Sequence, residues 1–313
     1  KFILKNFRAG KKKRVHVYDK HRKLSYASSI NDAACENGYY NINIDGIGYT
    51  IENKIASLEG ISSKIISNII QNETLSVLSS NDLMFLSLFC AVQILRTPTQ
   101  RDLGKQFQET IVKWANDQGE DVDKIENFEV LDTSGLKRSH VQNINSLALE
   151  LSKHFRDKFM FLVKAPLKHQ FFISDNPITM YNHKPRLGRG NLGLALDWIE
   201  IQMPISKKLS LTFVCSKMIN EMMKKLERYR QMRSFGINLT VDTREVEELE
   251  YAIKSGTARE VRPENVEFHN SLQVIHSSRF IYSSKDDFSF VQDMLTTNPE
   301  CMRSPRISNN FDI

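Results

Sequence analysis

The sequence predicts an α+β protein, and three observations predict it. Apolar residues recur at helical spacing over residues 51–157. Short β-type runs bounded by turn residues crowd into 158–283. The two patterns form separate blocks instead of alternating, which disfavours an α/β arrangement. The helices over 51–157 are expected to pack on one face of a mostly antiparallel sheet built largely from the second half. Residues 1–296 read as a single domain and 297–313 as a loose polar tail. With 313 residues, 41% hydrophobic and 26% charged, the chain can bury a core, and its composition excludes disordered and fibrous classes. No run of 18 apolar residues exists, so no membrane contact is expected.

Arg14–Tyr18 alternates polar and apolar residues and predicts a strand, with a hairpin partner in Phe2–Phe7 or in Leu24–Tyr26. Tyr39–Ile44 predicts another strand, ended by the turn Asp45-Gly46-Ile47-Gly48. Ile51, Ile55, Leu58, Ile61, Ile65 and Ile69 predict a helix over 51–72. Residues 80–96 predict a second helix, capped by Ser80 or Asn81 and apolar on nearly all sides, as befits the centre of a bundle. Pro98 predicts a break at Arg96-Thr97-Pro98. A third helix is expected over 101–116, with Phe107, Ile111 and Trp114 inward, then an exposed connection over 117–139 and a helix over 140–157. Strands are expected at 158–165, 170–174, 198–203, 209–215 and 272–282, and helices at 216–233, 243–255 and 286–295.

The net charge of +6 is unevenly spread. Residues 1–24 hold ten basic residues and one acid, whereas the remainder holds 33 basic and 36 acidic residues. A cationic patch that includes Lys11, Lys12, Lys13 and Arg14 suits a polyanion such as nucleic acid through counterion release; the plainer reading is a solvated, Lys-rich hairpin. The cysteines Cys35, Cys90, Cys215 and Cys301 are far apart and form no C-x-x-C pair. That pattern favours a reducing, cytoplasmic setting over a disulfide framework or a Cys-based zinc site. No signal peptide is expected, because the basic start leads into a polar stretch.

P-loop, nucleophile-elbow and H-E-x-x-H fingerprints are missing. Gly188-Arg189-Gly190-Asn191-Leu192-Gly193 matches G-x-G-x-x-G, but it follows a polar loop and precedes a strand, so it reads as a loop. In Phe171-Phe172-Ile173-Ser174-Asp175-Asn176-Pro177 an apolar strand ends on a carboxylate. A sheet holds such an acid rigidly enough for catalysis or for a Mg²⁺ or Mn²⁺ ion, though Asp-Asn-Pro also makes a turn for local reasons. Glu52 and Glu59 project from nearly the same helix face about 10 Å apart, too far to share one ion directly. Arg96 closes the most apolar helix and needs an anionic partner. One reading pairs it with Glu52, Glu59 or Asp175; the other makes it a phosphate clamp with Arg101. His169 and His183 flank Asp175 and would reach a metal only if the strand folds back.

Several segments fall in an order that resembles a known family: Phe2–Phe7, Val17-Tyr18-Asp19, Tyr39-Tyr40, Ile51-Glu52 with Glu59, Gln93–Pro98, Ile173–Ile178, Met203–Ser206 and Asn270–Gln273. The chain resembles the bacterial domain-of-unknown-function 4238 family from residue 1 to about 285, with Arg-Thr-Pro and Ser-Asp-Asn-Pro as the most specific parts. The resemblance implies a cytoplasmic bacterial protein of a mobile or host-defence element, and a His-His-Tyr-Val-Pro type motif just upstream of residue 1.

Two functions follow. In the first, Asp175, Glu52, Glu59 and Arg96 form a metal-dependent nuclease or phosphodiesterase site, with Arg101, Asn176 and the basic segment holding substrate. In the second, the same charges are a structural ion-pair network, and the chain is a non-catalytic sensor binding nucleic acid or a partner. The two differ in whether these groups converge on an open cleft or a closed interior.

Overall fold

The computed structural model describes residues 2–10, 13–33, 38–44, 46–126, 128–185, 190–237 and 240–303. The chain opens with a 3₁₀ turn, Ile3–Phe7, that buries Ile3, Leu4 and Phe7. Strands β1 (Arg14–Asp19) and β2 (Leu24–Ser29) then form a hairpin, so β1 takes the second of its two expected partners. A second hairpin joins β3 (Asn41–Ile44) and β4 (Ile47–Thr50) through Gly46, at φ +82°.

Helix α1 (Glu52–Asn72) buries Ile55, Ile65, Ile66 and Ile69. Ile61, expected in the same stripe, is exposed. Helix α2 (Ser80–Leu95) is capped by Ser79, not by Ser80 or Asn81: the Ser79 hydroxyl accepts from the Asp82 amide, and the Asp82 carboxylate accepts from the Ser79 amide. Leu86, Phe89, Cys90 and Ala91 are buried, while Leu83 and Met84 at the entry reach solvent. Helix α3 (Pro98–Gln118) starts three residues earlier than expected, because Pro98 takes its first position after the Thr97 cap. Its Phe107 and Trp114 are exposed, and Ala115 is the buried residue of that face. Helix α4 (Thr133–Arg156) also starts early, where Asp132 accepts from the Gly135 amide, and it takes up part of the expected connection.

In the second half lie β5 (Phe159–Lys164), β6 (Ile173–Ser174), β7 (Thr179–Asn182), β8 (Ile199–Pro204), β9 (Leu209–Val214), α5 (Ser216–Ser234), α6 (Arg244–Ser255) and β10 (Arg259–Glu260). The expected strand over 272–282 begins as helix and ends as strand: α7 spans Pro263–His276, and β11 covers Phe280–Ser283. Pro263 at the first turn starts this helix, and its buried face carries His269, Asn270 and Gln273, so the apolar periodicity that marks a helix is missing. Helix α8 (Ser289–Thr297) and a 3₁₀ turn, Pro299–Met302, follow. Cys301 in that turn is buried, so this part of the expected loose tail is packed; residues 304–313 lie outside the described residues.

The fold is α+β, with two main sheets where one was expected. The first is antiparallel, in the order β2-β1-β11-β6, and draws two strands from the N-terminus. The second has the order β10-β5-β9-β8-β7 and is antiparallel except for β10 on β5. One buried cluster joins α1 and α2 to both sheets through Val17, Ile66, Phe89, Leu162, Met203 and Tyr282. Among the described residues no disulfide forms, and Cys90, Cys215 and Cys301 are buried free thiols. No helix among them is long and apolar enough to cross a membrane.

Candidate binding cleft

The first sheet presents one face to the helices. Strand register aligns Tyr26, Val17, Tyr282 and Ile173 in a row across all four strands. Residues directly opposite one another point to the same face, as do residues two further along each strand. Ser28, Phe280 and Asp175 therefore extend the same floor, and all seven line one cleft of about 940 Å³. Its helical wall is supplied by Glu52, Ile55 and Glu59 of α1, by Gln93 of α2 and Arg96 at its C-terminal cap, and by Arg101 in the first turn of α3. The spacings of three, four and seven residues put each set on one helix face.

Five of the expected site residues thus converge on an open cleft: Glu52, Glu59, Arg96, Arg101 and Asp175. Asn176 does not line it; its side-chain amide donates to the His276 carbonyl. Lys13 and Arg14 are exposed at the start of β1 and do not line the cleft, and Lys11 and Lys12 lie outside the described residues. His183 pairs with Glu200 at 2.8 Å, and neither it nor His169 lines the cleft. Of the G-x-G-x-x-G match, Gly188 and Arg189 lie outside the described residues; the next regular element after it is a strand, β8.

Arg96 donates to Glu59 at 2.5 Å and to the Gln93 side-chain oxygen at 3.0 Å, which selects Glu59 among its three expected partners. Glu52 is exposed and makes no ion pair among the described residues. The Arg101 guanidinium stacks on the Tyr39 ring at 4.3 Å. Tyr39 in turn shares a 2.8 Å hydrogen bond with His140 Nδ1. Asp175 accepts three main-chain amides, from Ser278, Arg279 and Phe280, at 2.7–2.9 Å. Burial pushes its carboxyl above the ordinary range, against the pull of those amides and of the Lys20 charge. Both oxygens are engaged, so Asp175 fastens β6 to the start of β11. Among the described residues no three His, Cys, Asp or Glu side chains are grouped to hold a metal ion.

Sequence reasoning missed a second charged pair. Arg279 grips Asp19 through Nε and Nη2, the shortest contact being 2.7 Å. Burial pushes the Asp19 carboxyl up, but Arg279 and the amides of Arg22 and His21 outweigh it and hold the group below its usual range. Arg279 lies inside a segment that reads as a strand, and Asp19 reads only as the one acid of residues 1–24 and as part of a motif. Two further residues of the cleft, Gln93 and Tyr282, were also unassigned. The visible signal for Gln93 was an amide between Val92 and Ile94 in the most apolar helix.

The family model described as "Protein of unknown function (DUF4238)" matches residues 1–287. The chain belongs to the DUF4238 family. No curated protein and no solved structure matches it. In this DUF4238 protein, Arg96-Thr97-Pro98 and Ile173-Ser174-Asp175, far apart in sequence, face one another across the same cleft as Tyr39-Tyr40.

Proposed function

We propose that this protein is a binding module whose cleft takes a phosphate-bearing nucleotide unit, free or at the end of a nucleic-acid strand. The ion pairs around the cleft then serve as its scaffold. The observation that carries this reading is one open cleft of about 940 Å³ in which an apolar and aromatic sheet floor lies beside Arg96, Arg101 and Arg279. That volume is at the upper end of the range of about 300–1,000 Å³ usual for small-ligand sites. A guanidinium has five N–H donors. Arg96 commits nitrogens to Glu59 and Gln93, and Arg279 commits two to Asp19, so both retain donors for phosphate oxygens. Their existing partners hold them in fixed orientations, which lowers the entropic cost of binding.

A second reading, metal-dependent phosphodiester hydrolysis with Mg²⁺ or Mn²⁺, is favoured by Glu52. It is an exposed carboxylate on the cleft wall with no ion pair among the described residues, on the same helix face as Glu59. It would serve as base or metal ligand, with Arg96 opposing phosphate charge and Asp175 as a second acid across the cleft. The deciding experiment incubates the protein with labelled RNA and DNA, with either metal or with EDTA, beside Asp175→Ala and Glu52→Gln. Asp175→Ala removes the acceptor of three amides and tests the floor; Glu52→Gln removes one exposed charge that has no ion pair among the described residues. Salt-sensitive binding without cleavage supports the module. Metal-dependent cleavage abolished by Glu52→Gln replaces it with the hydrolase, and neither binding nor cleavage overturns both.

A further inference from the structure

Buried polar side-chain atoms in folded proteins nearly always have a hydrogen-bond partner. Two atoms of cleft-lining residues break this rule among the described residues: Gln93 Nε2 and Tyr282 Oη. Gln93 is 4% exposed and Tyr282 2%. The Gln93 amide cannot satisfy its donor by turning over, because Arg96 already donates to its oxygen and fixes that edge toward the guanidinium. The Tyr282 hydroxyl is held protonated: burial first, then the Asp175 and Tyr26 charges, raise its pKa well above the ordinary value. Both groups are therefore neutral hydrogen-bond donors at physiological pH.

Their neighbours define what they would receive. Val17 and Ile173 flank Tyr282 in the sheet row, and Ile55 and Phe280 line the same space. Such walls suit a flat, uncharged ring. A bare phosphate fits poorly there, because Glu59 shares Arg96 with Gln93 and Asp175 lies on the floor with Tyr282. The more exposed Arg279 is the better partner for an anionic group.

We propose that Gln93 and Tyr282 form a subsite for an uncharged planar ring bearing a carbonyl-type acceptor. On the reading above, which this inference deepens, that ring is the base of the bound nucleotide, with its phosphate directed to the arginines. Uracil, cytosine and guanine carry such a carbonyl and adenine does not. A site built to donate to a substrate oxygen rejects the analogue lacking it, because its own buried donors stay unpaired.

The test titrates the four ribonucleoside monophosphates against wild type, Tyr282→Phe and Gln93→Leu by calorimetry, and melts each protein without ligand. The carbonyl-bearing nucleotides are expected to bind at least about tenfold tighter than the adenine nucleotide, and Tyr282→Phe to weaken them by about tenfold. Unliganded Tyr282→Phe is expected to melt at or above wild type, since it loses a hydroxyl with no partner, whereas a purely structural hydroxyl would lower the melting temperature. Equal affinity for all four bases, or a base preference untouched in Tyr282→Phe, overturns the subsite while nucleotide binding stands. A lower melting temperature for Tyr282→Phe shows that the hydroxyl is already partnered and overturns it too. Failure of all four nucleotides to bind overturns the nucleotide reading and this subsite together.

Discussion

The Lys20 ammonium donates to the main-chain carbonyls of Val274, Ser277 and Cys301 at 3.1, 2.7 and 2.6 Å, and its residue is wholly buried. It links the end of β1 to the last turn of α7 and to the C-terminal 3₁₀ turn. Its neighbour Asp19 holds Arg279 from the same strand end, and Asp175 receives the amides of Ser278–Phe280. The segment that carries Arg279 into the cleft is thus held by three charged side chains. Replacing Lys20 by Met leaves carbonyls without a donor, each worth about 1–3 kcal/mol when buried. Lys20→Met is therefore expected to lower the unfolding free energy by about 3 kcal/mol in urea titrations near neutral pH. Burial also pushes the Lys20 pKa from 10.5 down to about 8. Between those values the folded chain has released a proton that the unfolded chain still binds. The Lys20 contribution to stability then rises with pH across this window, and that increment, not the contribution of the carbonyl contacts, is lost as pH falls toward 8. The difference between wild type and Lys20→Met should accordingly widen from pH 8 to 10; a constant difference would show that the ammonium stays charged in the fold.

Among the elements, the α6 terminus makes the sharpest demand on a single residue. Gly256 caps α6 at φ +72°, and a Cβ built there would lie 2.8 Å from the Ser76 main-chain nitrogen. Its carbonyl accepts from the Leu75 amide, which ties α6 to the segment between α1 and α2. Gly256→Ala combines left-handed backbone strain with a clash against main chain, and a loss of about 2 kcal/mol or more is expected in chemical denaturation. A change within about 0.5 kcal/mol would show that the two segments part freely. Elements such as α1 and β9 were legible because their apolar residues repeat at the period of the structure they form, and α2 because its apolar run is too long for a strand. Helix α7 was not, because His269, Asn270 and Gln273 share its buried positions with Val266, Leu272 and Val274 and break the apolar period. Two of these polar side chains serve distant residues: Asn270 bonds the Phe172 amide and the Gln170 carbonyl, and Gln273 bonds the Ser174 hydroxyl and the Pro177 carbonyl. Local periodicity carries no trace of a polar face satisfied by residues about a hundred positions away.

At the scale of the whole molecule, the cleft was half legible for the same reason. Glu52 and Glu59 follow from helical spacing, Arg96 from a charge closing an apolar helix, and Asp175 from a carboxylate closing an apolar strand. Tyr282 beside Val17, or Arg279 on Asp19, depends on strand register between the two ends of the chain. The same closure redistributes the basic N-terminal segment. Lys20 is buried and Arg22 leans on Asp19, whereas Lys13 and Arg14 remain exposed at the other end of β1. If a nucleic-acid strand binds here, its end occupies the cleft while its backbone meets exposed cations, and these two contacts respond differently to salt. Each phosphate neutralised on a single strand contributes about 0.7 to the slope of log affinity against log salt. Replacing both Lys13 and Arg14 by Ala should reduce that slope by about 1.4 for single-stranded oligonucleotides. The same double variant should leave mononucleotide affinity unchanged, because neither residue lines the cleft. An oligonucleotide slope equal to that of wild type would remove β1 from the strand's path, whereas a parallel loss of mononucleotide affinity would place the basic end of β1 inside the site.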